Sequence, residues 1–364
     1  MKMKQCNFKD NILKPGRIRV GMSVVELVDG HFNAFNSARL AEICRLMENK
    51  VLKEDVTIGV SLSGALTPAG LGASAVVPLI ENGFVDYIVS TGANLYHDIH
   101  FALDIPLYKS SPFVDDLKLR EEKLIRIYDI LADFDALVRS DKYLYKVFSD
   151  SLFHKKLSTS ELHYLLGMYI AKEEEKNGVQ GTTILAAAYK AGVPVYCPSP
   201  GDSTIGLNMA AKGMYDGTFT IDVMADINET AAIAYDAAQE GKNAVLIFGG
   251  GSPKNFLLQT VPQINEILEI PLDGHDYFMQ ITDARPDTGG LSGATPSEAV
   301  TWGKLNPESL PDCVVAYADI TIAMPIITAY VLEKCKPRRQ KRLFDMRGQL
   351  VEKLRQKYMQ VNIT

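Results

Sequence analysis

Residues 56–90 read VTIGVSLSGALTPAGLGASAVVPLIENGFVDYIVS, and this segment contains a complete strand–helix–strand unit. Two apolar runs, Val56–Leu62 and Val85–Ser90, flank a small-residue loop and the helical pattern Leu71–Asn82. A parallel strand that is buried on both faces is continuously apolar, and both runs largely fit that description. The segment therefore predicts two neighbouring parallel strands joined by a helix.

The same unit recurs along most of the chain. Further strands are predicted at Val193–Cys197, Thr218–Val223, Ala244–Phe248, Tyr277–Ile281 and Val314–Ala318. Helical patterns follow several of them, at Ile227–Glu240, Asn255–Leu268 and Thr321–Lys334. We therefore predict an α/β fold with a doubly wound, mostly parallel sheet and helices on both faces, in one domain that spans residues 1–364.

Three regions depart from this alternation. Between His100 and Gly181 there is no strand pattern, and helical spacing at Leu117–Arg139 and Ser160–Asn177 predicts a helical insertion at about 100–180. An N-terminal helical segment is expected within 1–55, with a helix at Asn33–Lys53. A C-terminal helix is expected within 336–364.

Bulk composition excludes several classes of protein. The 364 residues carry a formal charge of −6, which argues against a general nucleic-acid binder because phosphate contacts need clustered lysine and arginine. The basic run Lys334–Arg342 is interpreted as a helix cap and linker. The N-terminus has no apolar segment behind its lysines, and no stretch approaches the roughly 18 apolar residues of a membrane span. Five scattered cysteines without a C-x-x-C pair indicate reduced thiols, so we expect a cytoplasmic protein.

Glycine-rich and acidic loops follow the predicted strands. In open parallel sheets, ligands bind beyond the carboxyl ends of the strands, where glycine lets the backbone approach closely and helix N-termini offer N–H groups. The residues at these positions are Ser63-Gly64-Ala65, Thr91-Gly92-Ala93-Asn94, Pro198–Thr204, Gly249–Ser252, Thr282–Asp287 and Asp319. The set predicts a site for a nucleotide or a similar polar ligand, although G-x-G-x-x-G and G-x-x-x-x-G-K-[ST] are both absent.

Metal chemistry and nucleophilic hydrolysis are weaker alternatives. His97 and His100 are spaced as metal ligands could be, but nothing else in the chain has ligand spacing, so no metal is expected. The G-x-S-x-G motif of serine hydrolases is also missing.

Lys304 is the candidate nucleophile. It follows Trp302, the only tryptophan, and a glycine. A lysine attacks carbonyls or imines only when it is neutral, and burial against an aromatic surface lowers its pKa. The alternative is a surface lysine whose aliphatic stem lies over Trp302, and local sequence alone favours that alternative.

Three motifs resemble one enzyme family. Glu298–Lys304 (EAVTWGK), followed by Tyr317–Asp319, resembles the C-terminal signature of the deoxyhypusine synthase family. Ile247–Gly251 and Gly201–Gly206 resemble that family too, and the similarity runs from about residue 20 to residue 335.

The resemblance implies a mechanism and a set of site residues. In the family, NAD takes a hydride from spermidine, and a lysine matching Lys304 then carries the aminobutyl group as an imine. An acceptor amine captures that group, and the new imine on the acceptor is reduced. Trp302 would form a wall of the amine channel and Glu298 would pair with an amine. A homotetramer with active sites at dimer interfaces is implied as well. The residues assigned to the NAD site are Thr91, Gly92, Ala93, Asp202, Gly249, Gly250, Thr282, Asp283, Asp287 and Asp319.

The chain departs from the family where the amine is held. Acids of the spermidine-using members are replaced at Leu207-Asn208 and at Gly289-Gly290-Leu291. Asn255 stands where the family has a histidine, and Tyr96-His97 replace a pair of glutamates. Because a buried ammonium without a counter-charge costs several kcal/mol, we predict a related polyamine-type amine or guanidine as substrate. Asn255 is then a substrate-binding residue and His97 a relocated base.

Three functions follow from these observations. A transferase that builds a small polyamine is favoured, and true deoxyhypusine synthase acting on a protein lysine is the first alternative. The second alternative is an NAD-binding sensor or scaffold without turnover. Retention of Lys304, Trp302 and Glu298 favours catalysis over a scaffold.

Overall fold

The computed structural model describes residues 12–217 and 219–362. The helices and strands, in chain order, are α1 Val24–His31, α2 Phe35–Leu46, β1 Val56–Leu62, α3 Val77–Glu81, β2 Tyr87–Ser90, α4 Gly92–Ala102, β3 Tyr108–Lys109, α5 Asp116–Glu121, β4 Leu124–Ile127, β5 Ile130–Asp133, α6 Phe134–Val147, β6 Lys156–Leu157, α7 Thr159–Asn177, α8 Ile184–Ala191, β7 Val195–Tyr196, α9 Thr204–Asp216, β8 Thr220–Ile221, α10 Val223–Glu240, β9 Lys242–Phe248, α11 Gly251–Leu258, α12 Thr260–Pro262, β10 Tyr277–Thr282, α13 Pro296–Thr301, β11 Cys313–Tyr317, α14 Ile320–Lys334 and α15 Leu343–Asn362. Short π-helices lie at Met47–Val51, Gly72–Val76 and Gln263–Ile267.

Six parallel strands form the central sheet, in the order β11-β10-β9-β1-β2-β7. The chain begins at β1 in the middle, moves outward through β2 and β7, and then returns to build β9, β10 and β11 on the other side. The sheet is therefore doubly wound, as predicted. The direction of winding reverses between β1 and β9, and loops that leave such a pair in opposite directions open a crevice at their carboxyl ends.

Both faces of the sheet are buried, which explains why its strands are largely apolar. Ile58 of β1 and Leu246 of β9 pack into one core together with Ile327 of α14. Val245 of β9 alternates to the opposite face, where it packs with Ile233 of α10. Successive side chains of a strand point to opposite faces, so helices are needed on both sides. The prediction of helices on both faces is confirmed.

The predicted strand at Thr218–Val223 is wrong as a member of the central sheet. Only Thr220–Ile221 is extended, and it pairs with β6 in a separate two-stranded sheet. Asp222 accepts hydrogen bonds from the backbone N–H groups of Met224 and Ala225, so it caps α10 and ends the strand. Thr218 lies outside the described residues.

The helical insertion at about 100–180 is only partly correct. It is mostly helical, but β3, β5 and β4 form a three-stranded antiparallel sheet inside it. Leu124–Ile127 and Ile130–Asp133 pair across a two-residue turn in which Tyr128 adopts a left-handed conformation, with φ +57°. The charged residues around this short hairpin gave the segment an apparent helical spacing. Pairing between its two strands overrode that local pattern.

The two ends of the chain were predicted more accurately. The predicted helix Asn33–Lys53 is α2 continued by the π-helix Met47–Val51, and residues 1–11 lie outside the described part. At the other end, helix begins only at Leu343. Within the preceding basic run, Arg338 is buried and pairs with the buried Asp86 at 3.3 Å, so this part is structural and not a solvated linker.

The described residues were searched for disulfides, metal-ligating clusters and membrane-spanning helices. The described cysteines, at 44, 197, 313 and 335, are all free. Within residues 12–217 and 219–362, no three metal-ligating side chains come together. A search of that same part of the chain finds no helix with the length and apolarity to cross a bilayer.

Gly59 in the middle of β1 provides a test of this packing. A methyl group there would lie 2.4 Å from Cζ of the buried Tyr87 and 2.8 Å from Leu257 Cδ1. We expect Gly59→Ala to lower the free energy of unfolding by about 3 kcal/mol, because neither neighbour has room to move. Urea denaturation measures the change. Gly348→Ala in the exposed face of α15 is the control, and an equal loss there would contradict the packing argument.

Candidate active site

The turn after β9 forms one side of the crevice. Gly249 and Gly251 have φ values of +92° and +58°, which favour glycine. The N–H of Gly250 donates to Ser63 Oγ at 3.1 Å, and the N–H of Gly251 donates to Ser292 Oγ at 2.9 Å. A methyl group on Gly250 would lie 2.3 Å from Ser292 Cα. The glycines thus hold the turn between the end of β1 and the loop that carries Ser292.

The loops after β1, β2 and β7 form the other side. Thr91 caps α4, and its hydroxyl donates to the carbonyl of Gly64 at 2.6 Å. Gly92 lies against Ser203, since a methyl group on Gly92 would be 2.1 Å from Ser203 Cβ. Ala93 is in the first turn of α4, and Asp202 is exposed on the loop before α9. The structure therefore brings these predicted cofactor residues to the same edge.

The remaining predicted cofactor residues lie at the ends of β10 and β11. Thr282 is buried, and its carbonyl accepts from the N–H of Ala318 at 3.1 Å. Asp319 caps α14, and hydrogen bonds from Thr321 hold the pKa of its carboxyl below the usual range. Asp283 is exposed, whereas Asp287 is paired with Arg285. An ionised, exposed Asp319 can accept hydrogen bonds from the hydroxyl groups of a ligand.

Lys304 lies in a cavity of about 240 Å³ beside this edge. Its Nζ donates to Asn255 Oδ1 at 3.2 Å and lies 5.6 Å from the centroid of the Trp302 ring. Burial lowers the pKa of Lys304, and the negative charge of Glu298 opposes that shift. Lys304, Trp302, Glu298 and Asn255 all line the cavity, so the four residues predicted to act on the substrate are brought together.

The backbone positions Lys304 at the end of α13. Thr295 caps this helix by accepting from the N–H of Glu298, and Gly303 ends it with φ +64°. The N–H of Lys304 then donates to the carbonyl of Ala299 at 3.0 Å. Lys304 is half-buried, with its Nζ over the ring of Trp302, which is 59% exposed.

Lys254 is a site residue that the sequence analysis missed. It is 3% exposed, and its Nζ donates to Gln280 Oε1 at 3.0 Å and to the carbonyl of Ala294 at 2.8 Å. Burial lowers the pKa of Lys254 to about 8, and the positive charge of Lys304 acts in the same direction. Its place three residues after Gly251, in the first turn of a helix that leaves the crevice, could have identified it.

Gln280 joins the Lys304 cavity to the glycine turn. Its Nε2 donates to the carbonyls of Gly249 and Ser292, both at 2.8 Å. Its Oε1 accepts from Lys254, which lines the cavity. The crevice between β1 and β9 and the Lys304 cavity therefore share a wall of buried hydrogen bonds.

His97 does not line this cavity within the described chain. It lies on α4, where its Nδ1 is 3.3 Å from His100 Nε2, and His100 Nδ1 is 2.7 Å from Ser140 Oγ. Burial lowers the pKa of His97 and lowers that of His100 to about 4. The role of His97 as a base stays a prediction.

Tyr96, which is next to His97, and Asn208 share one carboxylate as their hydrogen-bond acceptor. The Tyr96 hydroxyl and the Asn208 amide both donate to Asp141 Oδ1, each at 2.9 Å. Asp141 comes from α6 in the insertion, so its proximity to residues 96 and 208 was not visible in the sequence. This polar cluster lies close to the carboxyl ends of β2 and β7.

Comparisons with known proteins agree with this architecture. The family model described as deoxyhypusine synthase matches residues 27–331. A "Deoxyhypusine synthase-like protein" of Thermosynechococcus vestitus is 56% identical over 355 residues, which are 96% of this chain and 88% of that protein. "Probable deoxyhypusine synthase 2" of Methanosarcina acetivorans is 37% identical over 313 residues, covering 86% and 87%. A crystal structure of an Entamoeba histolytica protein assigned as a deoxyhypusine synthase superposes with a TM-score of 0.55 at 15% identity, covering 90% and 100%, and so supports the fold.

Proposed function

The chain belongs to the deoxyhypusine synthase family, and from that premise we propose that it is an NAD-dependent transferase of aminoalkyl groups. It would move the group from a polyamine-type donor, through an imine at Lys304, to an amine acceptor. The observation that carries the proposal is the placement of Lys304 Nζ, 3.2 Å from Asn255 Oδ1, in a cavity that shares a wall with the glycine-lined crevice.

The residues at the crevice fit a dinucleotide. Methyl groups built on Gly64, Gly201 and Gly251 would meet no described atom within 4 Å, so the backbone is open to a ligand at these points. The crevice also lies at the point of reversal in the strand order, where dinucleotides bind in this class of sheet. NAD held there would supply the redox chemistry, which is acceptance of a hydride from the donor amine and its return to the imine formed on the acceptor. Its contacts would come from the residues predicted for it, namely Thr91, Gly92, Ala93, Asp202, Gly249, Gly250, Thr282, Asp283, Asp287 and Asp319.

Lys304 would perform the covalent step. Its neutral amine attacks the imine carbon of the oxidised donor, and the remainder of the donor leaves as an amine. The acceptor amine then adds to the Lys304 imine, and the bond from that carbon to Lys304 Nζ breaks. Burial favours the neutral lysine that this attack requires. Trp302 would offer its ring to the ammonium group of the substrate.

The acceptor in this proposal is a small amine. Leu207 and Asn208 offer no carboxylate, and neither does Gly289-Gly290-Leu291, so the charges that bind spermidine as donor in the family are reduced here. This weakens the case for true deoxyhypusine synthase, whose acceptor is a protein lysine. Glu298 remains as the carboxylate that lines the Lys304 cavity. A protein lysine as acceptor stays the second possibility.

We propose a homotetramer in which subunit contacts complete the site. Trp302 is 59% exposed, and three apolar side chains of α9 are also exposed, namely Leu207, Met214 and Tyr215. Where such exposed apolar side chains form one patch, a partner typically covers it. His97 does not line the Lys304 cavity in the described chain, so a shared role of the two would be explained if they met across such an interface. Sedimentation analysis tests the assembly.

Covalent trapping tests the proposed reaction. The protein is incubated with NAD and a panel of amines and guanidines, and borohydride then reduces any imine to a stable secondary amine. We expect an added aminoalkyl mass on the peptide that contains Lys304, dependent on both NAD and the productive amine. Absence of that mass during measurable turnover would contradict the proposal, and label on another lysine would place the nucleophile elsewhere.

A further inference from the structure

A second cleft of about 410 Å³ adjoins the Lys304 cavity. It lies between α10 and the segment that runs from α11 into the π-helix Gln263–Ile267. Asn255 and Gln259 line both spaces. Because Asn255 is also the hydrogen-bond acceptor of Lys304 Nζ, the second cleft begins next to the reacting nitrogen.

Glu266 is the one ionisable side chain among the described residues that line the second cleft. The neighbouring Asn265 is held in place, since its amide donates to the carbonyl of Leu272 at 2.7 Å and its Oδ1 accepts from the N–H of Leu272 at 2.6 Å. A methyl group on Gly303 would lie 4.0 Å from Asn265 Nδ2. The π-helix therefore lies beside the residue that precedes Lys304.

The charge of Glu266 reaches the reacting amine. It raises the pKa of Lys304, as Glu298 does, and both effects oppose that of burial. Each of the two connected spaces thus has one carboxylate, Glu298 in the Lys304 cavity and Glu266 in the second cleft. Glu266 is exposed, and a carboxylate in an otherwise uncharged cleft is suited to a cationic group.

We propose that the second cleft is the acceptor subsite and that Glu266 binds a second cationic group on the acceptor. This inference rests on the transferase function proposed above and specifies the acceptor class as a diamine or an amine that also carries a guanidinium group. The distal cation lies at Glu266 while the neutral primary amine reaches past Asn255 to the imine carbon. The new C–N bond forms as the bond to Lys304 Nζ breaks, and the proton lost by the acceptor nitrogen returns Lys304 to an amine.

Binding of two probe amines tests Glu266 without turnover. 1,4-Diaminobutane and n-butylamine have the same carbon chain but differ by one cation. Each is titrated into wild type, Glu266→Gln and Glu269→Gln, by calorimetry and by the fluorescence of Trp302, the only tryptophan. Glu269 is exposed and close in sequence, but it does not line the cleft, so it is the matched control.

We expect Glu266→Gln to weaken diaminobutane binding about fivefold or more and to leave butylamine binding unchanged. Glu269→Gln should change neither. Equal effects on both probes, no effect on either, or the same loss in the Glu269 variant would overturn the subsite. Borohydride trapping of the donor at Lys304 is measured in the same variants. If Glu266→Gln is trapped normally and its affinity for the diamine is unaltered, the Glu266 inference alone is refuted. If wild type itself gives no trapped adduct, the transferase function is refuted.

Discussion

Lys304→Ala is expected to lower the rate of aminoalkyl transfer by roughly 10⁴-fold or more, because it removes the group that carries the intermediate. No other amine can take over from the same position, since the neighbouring Lys254 is held by Gln280 and by the carbonyl of Ala294. NAD affinity should stay within about twofold, because no predicted cofactor contact involves this side chain. Steady-state kinetics and NAD titration measure the two effects.

Lys172→Ala is the matched control for Lys304→Ala. Lys172 Nζ also lies over an aromatic ring, 5.3 Å from the centroid of Tyr169, but it is exposed on α7 and lines no part of the cavity. Its removal should leave transfer unchanged. Substantial transfer by Lys304→Ala would show that the intermediate is not carried at this position.

The pH dependence of trapping provides a second check on Lys304. Its pKa is lowered by burial, so the neutral fraction rises with pH and passes its midpoint below the ordinary lysine value of about 10.4. The initial rate of borohydride trapping should therefore increase with pH, with a midpoint below that value. A rate that continues to follow an unshifted lysine would show that burial does not activate the amine.

The sequence predicted the sheet because a strand that is buried on both faces is recognisable as a short run of mostly apolar residues. All seven residues of Val56–Leu62 are buried, and the alternate side chains of the apolar run Ala244–Phe248 enter two separate cores. The small hairpin in the insertion has no such apolar run, because the strands Leu124–Ile127 and Ile130–Asp133 are only half-buried. Partial burial permits charged neighbours, which obscure the period of a strand.

The site was predictable at its loops and less so at its cavity. The glycine and acidic residues at the edge follow from the rule that parallel strands end together. The environment of Lys304 depends on Asn255, which is 49 positions away, and was therefore invisible to local sequence. Lys254 was missed for the same reason, because its acceptors come from β10 and from the loop before α13. Motif resemblance supplied Lys304, Trp302 and Glu298, whereas the fold added the hydrogen bonds of Lys254 and Gln280.

Lys254→Met is expected to have the second largest effect on transfer, lowering it by about 100-fold or more. The substitution keeps most of the side-chain volume but removes the donor to Gln280 Oε1 and to the carbonyl of Ala294. The loop with Ser292 and Ala294 would then lose its hydrogen bonds from α11, and the wall between crevice and cavity would shift. We also expect the free energy of unfolding to fall by roughly 2–3 kcal/mol, because two buried acceptors are left unsatisfied.

Lys341→Met separates the loss of a buried lysine from the loss of this site. Lys341 has a pKa lowered by burial and donates to Thr57 Oγ1 at 2.9 Å, next to the N-terminal end of β1. Its removal should lower stability but leave transfer within about twofold, since β1 carries its site residues at the other end. If both variants lose activity in proportion to stability, Lys254 has only a structural role.

The pH dependence of stability tests the buried amine of Lys254 directly. Its pKa is lowered from 10.5 to about 8 in the folded protein, so below pH 8 the folded and unfolded states both hold the proton. Between pH 8 and 10.5 the folded state has released it while the unfolded state keeps it. Stability therefore rises with pH across this window, by at most about 3 kcal/mol relative to Lys254→Met. Urea denaturation of wild type and Lys254→Met at each pH measures this difference. If the free energies of unfolding of the two proteins change in parallel with pH, Lys254 does not titrate in this range. The carbonyls around its amine would then have to stabilise it as a cation.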